Sequence, residues 1–499
     1  MKKSVFILLA VFTLTACKSD KDKAILIQVD AADRIHTMKG GMGASWHAIS
    51  ADLPLDNEKY TIKARETGAA RGSAWGGNPP VSYTKAWEQL KDHASWLGLN
   101  FVRVECSQRM YEPQRNMFDW TNEEMLALYN ILDWAQENDV DVFLQQMWAY
   151  VEWNAIPGIH PLISAPKNLD DFTNGIATLL EYLIKERGYT CIKYFCMTNE
   201  PPGGTWGYWW EYGDTEGTIS DAWQRLKEEF DHRNINIPIS GPDWTDMPPF
   251  EPEKLDFAQY FGAIDIHSYH GVTAEGEENL RKWAEWAHQQ GKPFFLSEYG
   301  NMNLGWGGDD PNQKSFEAAL SNACDVIRGL RAGVDGFNRW SFTNRGNLDG
   351  QWQLVRTFDL ESGTYLPEVI PEPEAYYGFG IVSRFLSKYS STVSCEVSAP
   401  DSVLLSTALL SPSGDLSLIV VNLEDEPVTI NLELSSYTGK TINVYQVTKE
   451  SVNSPGFRLN PVDSFSSSDK KKLVLPAMSI TNISSYPLSH EDAGIVITK

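Results

Sequence analysis

Short apolar runs alternate with amphipathic windows between about residue 40 and residue 340. The runs are rich in β-branched and aromatic residues, and the windows repeat apolar residues at the spacing of a helix. Repeated strand–helix units predict an α/β fold with a parallel sheet, and eight of them favour a closed TIM (β/α)₈ barrel over an open, doubly wound sheet. The eight predicted strands are 43–46, 101–105, 142–146, 194–199, 238–241, 264–267, 294–298 and 336–340.

Two of the amphipathic windows also carry signals for helix ends. In the first, the apolar residues from Trp87 to Leu97 fall on one stripe, and Gly98 can take the left-handed conformation that stops a helix. In the second, Thr121 and Glu124 have the spacing of a capping box, which predicts Thr121 as the N-cap residue.

The pattern changes after residue 375 to strands separated by turn residues. Segments 416–423, 428–434 and 441–447 alternate apolar and polar residues, which predicts a smaller C-terminal antiparallel β-sandwich domain. The segment 24–29 also reads as a strand and can add to this sandwich. We therefore expect a pre-barrel stretch over 24–39, a barrel over 40–375 and a sandwich over 376–499.

The first residues have the pattern of an export signal. Lys2 and Lys3 precede an apolar run over 5–14 that is too short to span a bilayer. The residues that follow, up to Cys17, resemble the lipobox of bacterial lipoproteins, although an ordinary signal cleaved nearby is the alternative. The resemblance implies a signal over 1–17, lipid on Cys17, a charged tether over 18–23, and retention at the outer membrane, facing either the periplasm or the exterior.

Composition and charge narrow the class of partner. The net charge of −24, with no basic run beyond the leader, argues against nucleic acid and anionic lipid surfaces as partners. Eighteen tryptophans exceed the usual need of a core, and indole faces stack on sugar rings. We therefore expect an oligo- or polysaccharide partner, a monomeric protein, and membrane contact only through the lipid anchor.

Cysteine and histidine spacing gives no sign of a metal site or an organic cofactor. The cysteines beyond residue 17 show no metal-type pairs, and most are expected to be buried thiols. Cys191 and Cys196 could form a disulfide, but their positions at the start and inside of one predicted strand favour the core.

Two glutamates end predicted strands of the barrel. Asn199-Glu200-Pro201 closes the fourth strand, and the apolar run 294–297 leads directly into Glu298 at the end of the seventh. The carboxyl ends of barrel strands carry the catalytic groups of this fold, so both glutamates should lie on the catalytic face. Alone, an Asn-Glu-Pro triplet is usually a turn; the pair of strand-end glutamates is what gives it weight.

At these residues the sequence resembles clan A of the glycoside hydrolases, whose barrels carry an Asn-Glu pair after strand four and a glutamate ending strand seven. The resemblance covers about residues 40–350 and is nearest to families 30, 39 and 5. It extends to four further positions, namely Arg103, His267, Tyr269 and Trp340.

The resemblance implies a retaining glycoside hydrolase that cleaves β-linked glycans by double displacement. Glu200 would be the acid/base and Glu298 the nucleophile, with their carboxyl groups roughly 5 Å apart. Arg103 and Tyr269 would keep Glu298 ionised. Asn199 would donate to the sugar 2-hydroxyl and Trp340 would stack beneath the ring, and the loop tryptophans Trp148 and Trp306 are the preferred further platforms.

Each of these residues has a structural alternative. Arg103 could be paired with Glu105, and His267 could belong to a hydrogen-bonded network with Asp265 and Tyr269 on one strand face. Trp340 could serve packing alone.

Two other functions also fit the sequence. A non-catalytic glycan-binding lipoprotein would need no pair of glutamates, whereas a transglycosylase would use the same pair. The sugar, the linkage and the choice between internal and terminal cleavage depend on loop shape, above all on segment 47–83.

Overall fold

The computed structural model describes residues 24–48, 77–148, 151–158, 164–201, 218–305, 312–343, 351–359 and 364–488. The predicted leader with Cys17, the tether 18–23 and Trp306 lie outside the described residues. Among the helices described, none combines the length and the apolar character that a membrane span requires.

The barrel closes because its first strand is shared between two neighbours. β2 (Met42–Ala44) pairs with the last barrel strand, β10 (Gly336–Arg339), whereas β3 (Trp46–His47) pairs with β4 (Phe101–Ser107). Ser45 separates the two pieces, and all neighbours are parallel, as the alternating pattern predicts. The other strands, in spatial order, are β5 (Asp141–Trp148), β6 (Ile192–Cys196), β7 (Ile239–Trp244), β8 (Ala263–Ser268) and β9 (Phe294–Tyr299).

Amphipathic helices connect the barrel strands, except between β7 and β8, where the expected helix is replaced by 3₁₀ turns. They are α1 (Thr84–Trp96), α2 (Gln108–Tyr111), α3 (Glu123–Glu137), α4 (Leu169–Glu181), α5 (Ile219–Arg233), α6 (Ala274–Gln289) and α7 (Phe316–Ala332). A π turn, Tyr182–Glu186, continues α4, and 3₁₀ turns lie at Glu152–Asn154, Pro252–Lys254, Asp256–Tyr260 and Met302–Leu304.

Two local predictions need correction. The fourth strand ends at Cys196 and not at residue 199, so Asn199 and Glu200 stand on the loop that follows it. The N-cap of α3 is Asn122, whose side chain accepts from the Met125 amide, whereas the Thr121 hydroxyl donates to Asp119. The stop of α1 is confirmed, because Gly98 has a φ of +65°.

The interior of the barrel changes character along its axis. Phe101, Phe143 and Phe295 fill the end where the strands begin, with Phe101 and Phe295 ring centroids 4.9 Å apart. Polar side chains that are almost fully buried occupy the end where the strands stop. Buried polar groups need hydrogen-bond partners, so this end of the barrel should hold a connected network.

The sandwich contains strands from both ends of the chain. β1 (Ile25–Thr37) lies antiparallel to β13 (Ser391–Val397) and parallel to β16 (Val428–Ser435). The remaining strands are β14 (Leu404–Leu410), β15 (Leu416–Asn422), β17 (Thr441–Val447), β18 (Asp463–Ser466), β19 (Lys471–Leu475) and β20 (Ser479–Ser484), in the order β18-β17-β20-β15-β14-β13-β1-β16-β19. A hairpin of β11 (Val355–Asp359) and β12 (Thr364–Pro371) lies between β10 and β13 in the chain, and α9 (Lys449–Val452) follows β17.

One face of the sandwich shares an apolar core with the barrel helices, while other sandwich residues form a separate buried cluster. α8 (Pro373–Ser383) spans the predicted division at residue 375, and it packs against α7, β17 and β20. The contact is close, because a Cβ on Gly378 would lie 2.4 Å from the Cβ of Ala319. Leu409 and Ile419 of the sandwich belong to the same buried cluster as the barrel helices. The sandwich therefore supports the barrel directly.

Candidate active site

The two strand-end glutamates meet at the carboxyl end of the barrel. Glu200 and Glu298 are 8% and 3% exposed, and one carboxylate oxygen of each lies within 4.8 Å of the other and of a His267 ring nitrogen. They come from opposite parts of the barrel sheet, since Glu200 follows β6 and Glu298 lies in β9. A single sugar ring could contact both.

Glu298 is held by a cation and a hydroxyl. Arg103 Nη1 donates to its Oε1 and the Tyr269 hydroxyl donates to its Oε2. The same Nη1 lies 2.9 Å from Glu105 Oε1, so the alternative partner of Arg103 is present beside Glu298. Burial would lower the pKa of Arg103, but Glu298 and Glu105 outweigh it and raise this pKa above its usual range. Arg103 therefore stays charged, and the two donors hold the Glu298 carboxylate in place through both of its oxygens.

Glu200 has a different environment. Its Oε1 lies 2.7 Å from His267 Nδ1, and its backbone has a φ of +47°. The other ring nitrogen, His267 Nε2, lies 2.9 Å from Asp243 Oδ1. Burial would lower the pKa of His267, but Glu298 and Asp243 outweigh it and raise this pKa. The two glutamates thus share a neighbour in His267 but have different hydrogen-bond donors otherwise.

Asn199 is oriented by its amide oxygen. That oxygen accepts from Arg103 Nη2 at 2.9 Å and lies 3.3 Å from Gln145 Nε2. Because the oxygen faces these donors, the amide nitrogen is the part of Asn199 that can donate to a bound molecule.

Of the two residues expected in a network with His267, Tyr269 lies beside it and contacts the same Glu298 oxygen, whereas Asp265 does not bond it. Asp265 hydrogen-bonds Ser240 and Ser297 and not His267. A break in the β8–β9 register between Ile266 and His267 accompanies this change.

The predicted aromatic platforms differ in how much the structure describes. Trp340 is 5% exposed and packs edge-on against the His47 ring, with the ring centroids 4.8 Å apart. Trp148 ends β5 opposite Ser107, and only its backbone is described. Trp352 is fully buried, and its ring centroid lies 5.5 Å from that of Tyr269, so it is a further aromatic neighbour of the site.

Other loop tryptophans fall into two groups. Trp244 packs against Phe257 and Trp283, and the Trp153 indole donates to the Glu112 carbonyl, so both have structural contacts. Trp75, Trp206, Trp209 and Trp210 lie outside the described residues, as Trp306 does.

Sequence reasoning missed three buried polar residues around the site. They are Asp243, Gln145 and His47, and each is fully buried. Asp243 lies in the Gly-Pro-Asp-Trp segment that ends β7, and its position at a strand end was the available signal. Glu105, considered only as a partner for Arg103, is also fully buried, and burial, opposed by Arg103, raises its pKa to about 8.

Three groups of side chains in the described ranges have spacings that could hold a cation: Glu200 with His267 and Glu298, Cys196 with Asp243 and Asp265, and His36 with His288 and Asp335. In the first and third groups the ring nitrogens lie within hydrogen-bond distance of the carboxylates. A cation would therefore have to displace those bonds.

Comparison with known proteins assigns this chain to a family. The family model described as Cellulase (glycosyl hydrolase family 5) matches residues 56–328, which include the segments of both glutamates. The chain belongs to this family. Among curated protein sequences, none matches this member of glycosyl hydrolase family 5.

Solved structures share its fold at low sequence identity. A GH30 endoxylanase from Clostridium papyrosolvens C71 has 12% identity and a TM-score of 0.61, with 93% of this chain and 100% of that chain covered. A conserved exported protein from Bacteroides fragilis has 14% identity and a TM-score of 0.63, with 92% and 100% covered. A GH39 β-xylosidase from Caulobacter crescentus has 14% identity and a TM-score of 0.57, with 93% and 100% covered.

The predicted class is thereby confirmed. This family 5 member is a clan A glycoside hydrolase, an O-glycosyl hydrolase with a carbohydrate substrate, on a TIM barrel joined to a sandwich.

Proposed function

We propose that this enzyme hydrolyses β-linked glycans with retention of configuration, using Glu200 as acid/base and Glu298 as nucleophile. The observation that carries the proposal is the short distance between the two carboxyl groups. One oxygen of Glu200 lies within 4.8 Å of one oxygen of Glu298. Retaining enzymes place these groups about 5–5.5 Å apart, whereas inverting enzymes leave room for a water at about 6.5–9.5 Å.

In the first step, Glu298 attacks the anomeric carbon while Glu200 protonates the departing oxygen. The glycosidic C–O bond breaks, an ester forms between the sugar and Glu298, and the proton of Glu200 leaves with the alcohol. Arg103 and Tyr269 keep the attacking carboxylate ionised and oriented. The Asn199 amide donates to the 2-hydroxyl, a hydrogen bond that strengthens as the ring flattens.

In the second step, Glu200 is a carboxylate and accepts a proton from water. The water oxygen attacks the anomeric carbon, the ester to Glu298 breaks, and the sugar leaves with its original configuration. Trp340, at the end of β10, is the proposed stacking surface of this subsite, and Trp148 and Trp306 are proposed for sugars further along the chain.

The test is chemical rescue of the two glutamates. Glu298→Gly should be inactive on aryl β-glycosides and regain turnover with azide, giving a glycosyl azide of inverted configuration. Glu200→Ala should keep its first step on 2,4-dinitrophenyl glycosides, which need no acid, and lose it on poor leaving groups. If either variant hydrolyses the natural glycan at the wild-type rate, the assignment is refuted. If a sugar acceptor reacts with the glycosyl-enzyme in preference to water, the enzyme is a transglycosylase.

We further propose that Cys17 carries the lipid that holds the enzyme at the outer membrane. The lipobox-like residues before it support this. Cells expressing the full chain should incorporate labelled palmitate, and Cys17→Ala should not incorporate it. Labelling that persists in Cys17→Ala would remove Cys17 from the proposal.

A further inference from the structure

Asp243 connects the two elements that position Glu200. It is fully buried at the end of β7, where its backbone has a φ of +60°. Its Oδ1 faces His267 Nε2 at 2.9 Å, and its Oδ2 accepts from the Glu200 backbone N–H at 2.9 Å and from Gln145 Nε2 at 3.2 Å. Each carboxylate oxygen thus contacts a different part of the acid/base machinery.

We propose that Asp243 is a positioning residue for the proton transfers of Glu200, acting on its main chain directly and on its carboxyl group through His267. This inference rests on the proposed function, because it assumes that Glu200 is the acid/base.

The first effect is on the backbone of Glu200. A non-glycine residue with positive φ is held in an uncommon conformation, and surrounding contacts must maintain it. The hydrogen bond from the Glu200 N–H to Asp243 Oδ2 is such a contact. It fixes where the side chain leaves the main chain, and therefore where its carboxyl group can reach.

The second effect is on the protonation of His267. An ionised carboxylate can only accept, so Asp243 requires a proton on Nε2. Nδ1 then faces Glu200 Oε1 at 2.7 Å, and one further proton is shared between those two atoms. That proton can pass to the departing oxygen in the first step and be regained from water in the second.

An asparagine cannot reproduce both contacts. Its single amide oxygen can accept from His267 or from the Glu200 backbone, and its NH₂ group would then face the other donor. If the NH₂ group faced His267, Nε2 would lose its proton and Nδ1 would carry it. Removing the negative charge would also lower the proton affinity of the His267–Glu200 pair.

The surroundings of this pair contain other charged and titratable groups that any pH profile will report together. They are Arg103 and Glu105 on β4, Cys196 on β6, Asp246 after β7, Asp265 on β8, Tyr269 after β8, and Glu298 on β9. A matched control must therefore change a buried carboxylate that makes no hydrogen bond to His267 or Glu200.

Asp265→Asn is that control. Asp265 is equally buried on the neighbouring strand, but its side chain bonds only Ser240 and Ser297 among the described residues. Burial raises the pKa of Asp265 to about 7, so its neutral form, which an asparagine amide resembles, is less costly than for an exposed aspartate.

Asp243→Asn and Asp265→Asn should be compared on aryl β-glycosides of graded leaving-group ability. For Asp243→Asn we expect a loss of about 10²-fold or more on poor leaving groups and little loss of the first step on 2,4-dinitrophenyl glycosides, the pattern of missing acid catalysis. The basic limb of its kcat/KM profile should move to lower pH, whereas Asp265→Asn should follow the wild type. An equal loss on all leaving groups with an unmoved pH profile would overturn the proposal.

Imidazole ¹⁵N spectra give a readout that needs no turnover. The His267 signals, assigned by their loss in His267→Gln, should show a protonated Nε2 in the wild type and a changed protonation pattern in Asp243→Asn. Unchanged signals would overturn the role of Asp243, whereas a wild type that hydrolyses no glycoside would count against the proposed function alone. If Asp243→Asn does not fold, the leaving-group series on His267→Gln decides, and a uniform loss there also overturns the proposal.

Discussion

Replacing Tyr269 with phenylalanine removes one hydroxyl and leaves the shape of the site unchanged. The ring keeps its packing against Trp352, and Glu298 Oε2 loses its hydroxyl donor. A hydrogen bond to a charged group contributes about 1.5–3 kcal/mol. At about 1.4 kcal/mol per tenfold change in rate, this corresponds to a loss of about 10- to 150-fold in kcat/KM. His267 Nδ1, 3.3 Å from the same oxygen, remains, which favours the lower end.

The assay is kcat/KM on an aryl β-glycoside at constant pH, with the melting temperature measured in parallel. Tyr299→Phe is the matched control, because Tyr299 is fully buried next to Glu298 and its hydroxyl has no hydrogen-bond partner among the described residues. Tyr299→Phe should therefore keep wild-type activity. If Tyr269→Phe is also within twofold of the wild type, the hydroxyl does not support the nucleophile and this reasoning is wrong.

Three further outcomes are expected. EDTA should leave hydrolysis unchanged, since no step requires a metal, and a loss restored by a divalent cation would contradict this. Gly43→Ala should destabilise the barrel by about 1–3 kcal/mol or more, because the new Cβ would lie 1.7 Å from the Phe101 carbonyl oxygen. Gly276→Ala, whose Cβ would meet nothing within 3.4 Å, should be neutral or stabilising in the same denaturant titration. Burial would raise the pKa of Asp335, but hydrogen bonds from two histidines outweigh it and hold this pKa below its usual value. Its stabilising contribution is therefore present above the ordinary carboxyl pKa of about 4 and lost as the pH falls below it, and in Asp335→Asn this part of the acid dependence should be missing.

The barrel and its two glutamates could be predicted because their signals are local. Apolar strands alternate with amphipathic helices, and each glutamate comes at the end of an apolar run. Since the carboxyl ends of parallel strands meet at one face, strand counting was enough to bring residues 200 and 298 together.

The role of Asp243 could not be predicted in the same way. Its importance depends on contacts with His267 and with the backbone of Glu200, which lie on two other strands or loops. Its one local signal is its position near a strand end, which an ordinary turn aspartate shares. The end of the fourth strand was missed for a similar reason. The sequence of residues 197–199 is compatible with a strand, but pairing with the neighbouring strands, which the sequence does not show, stops at Cys196.

The position of β1 has a consequence for how the chain is made. This strand is synthesised early, yet its neighbours in the sandwich come near the end; Leu26, for example, bonds Ser398, 372 positions later. β1 therefore has no partner strand until the whole barrel and then β13 and β16 have been synthesised. A circular permutant that places this strand after β20 would keep the same sheet and shorten the wait.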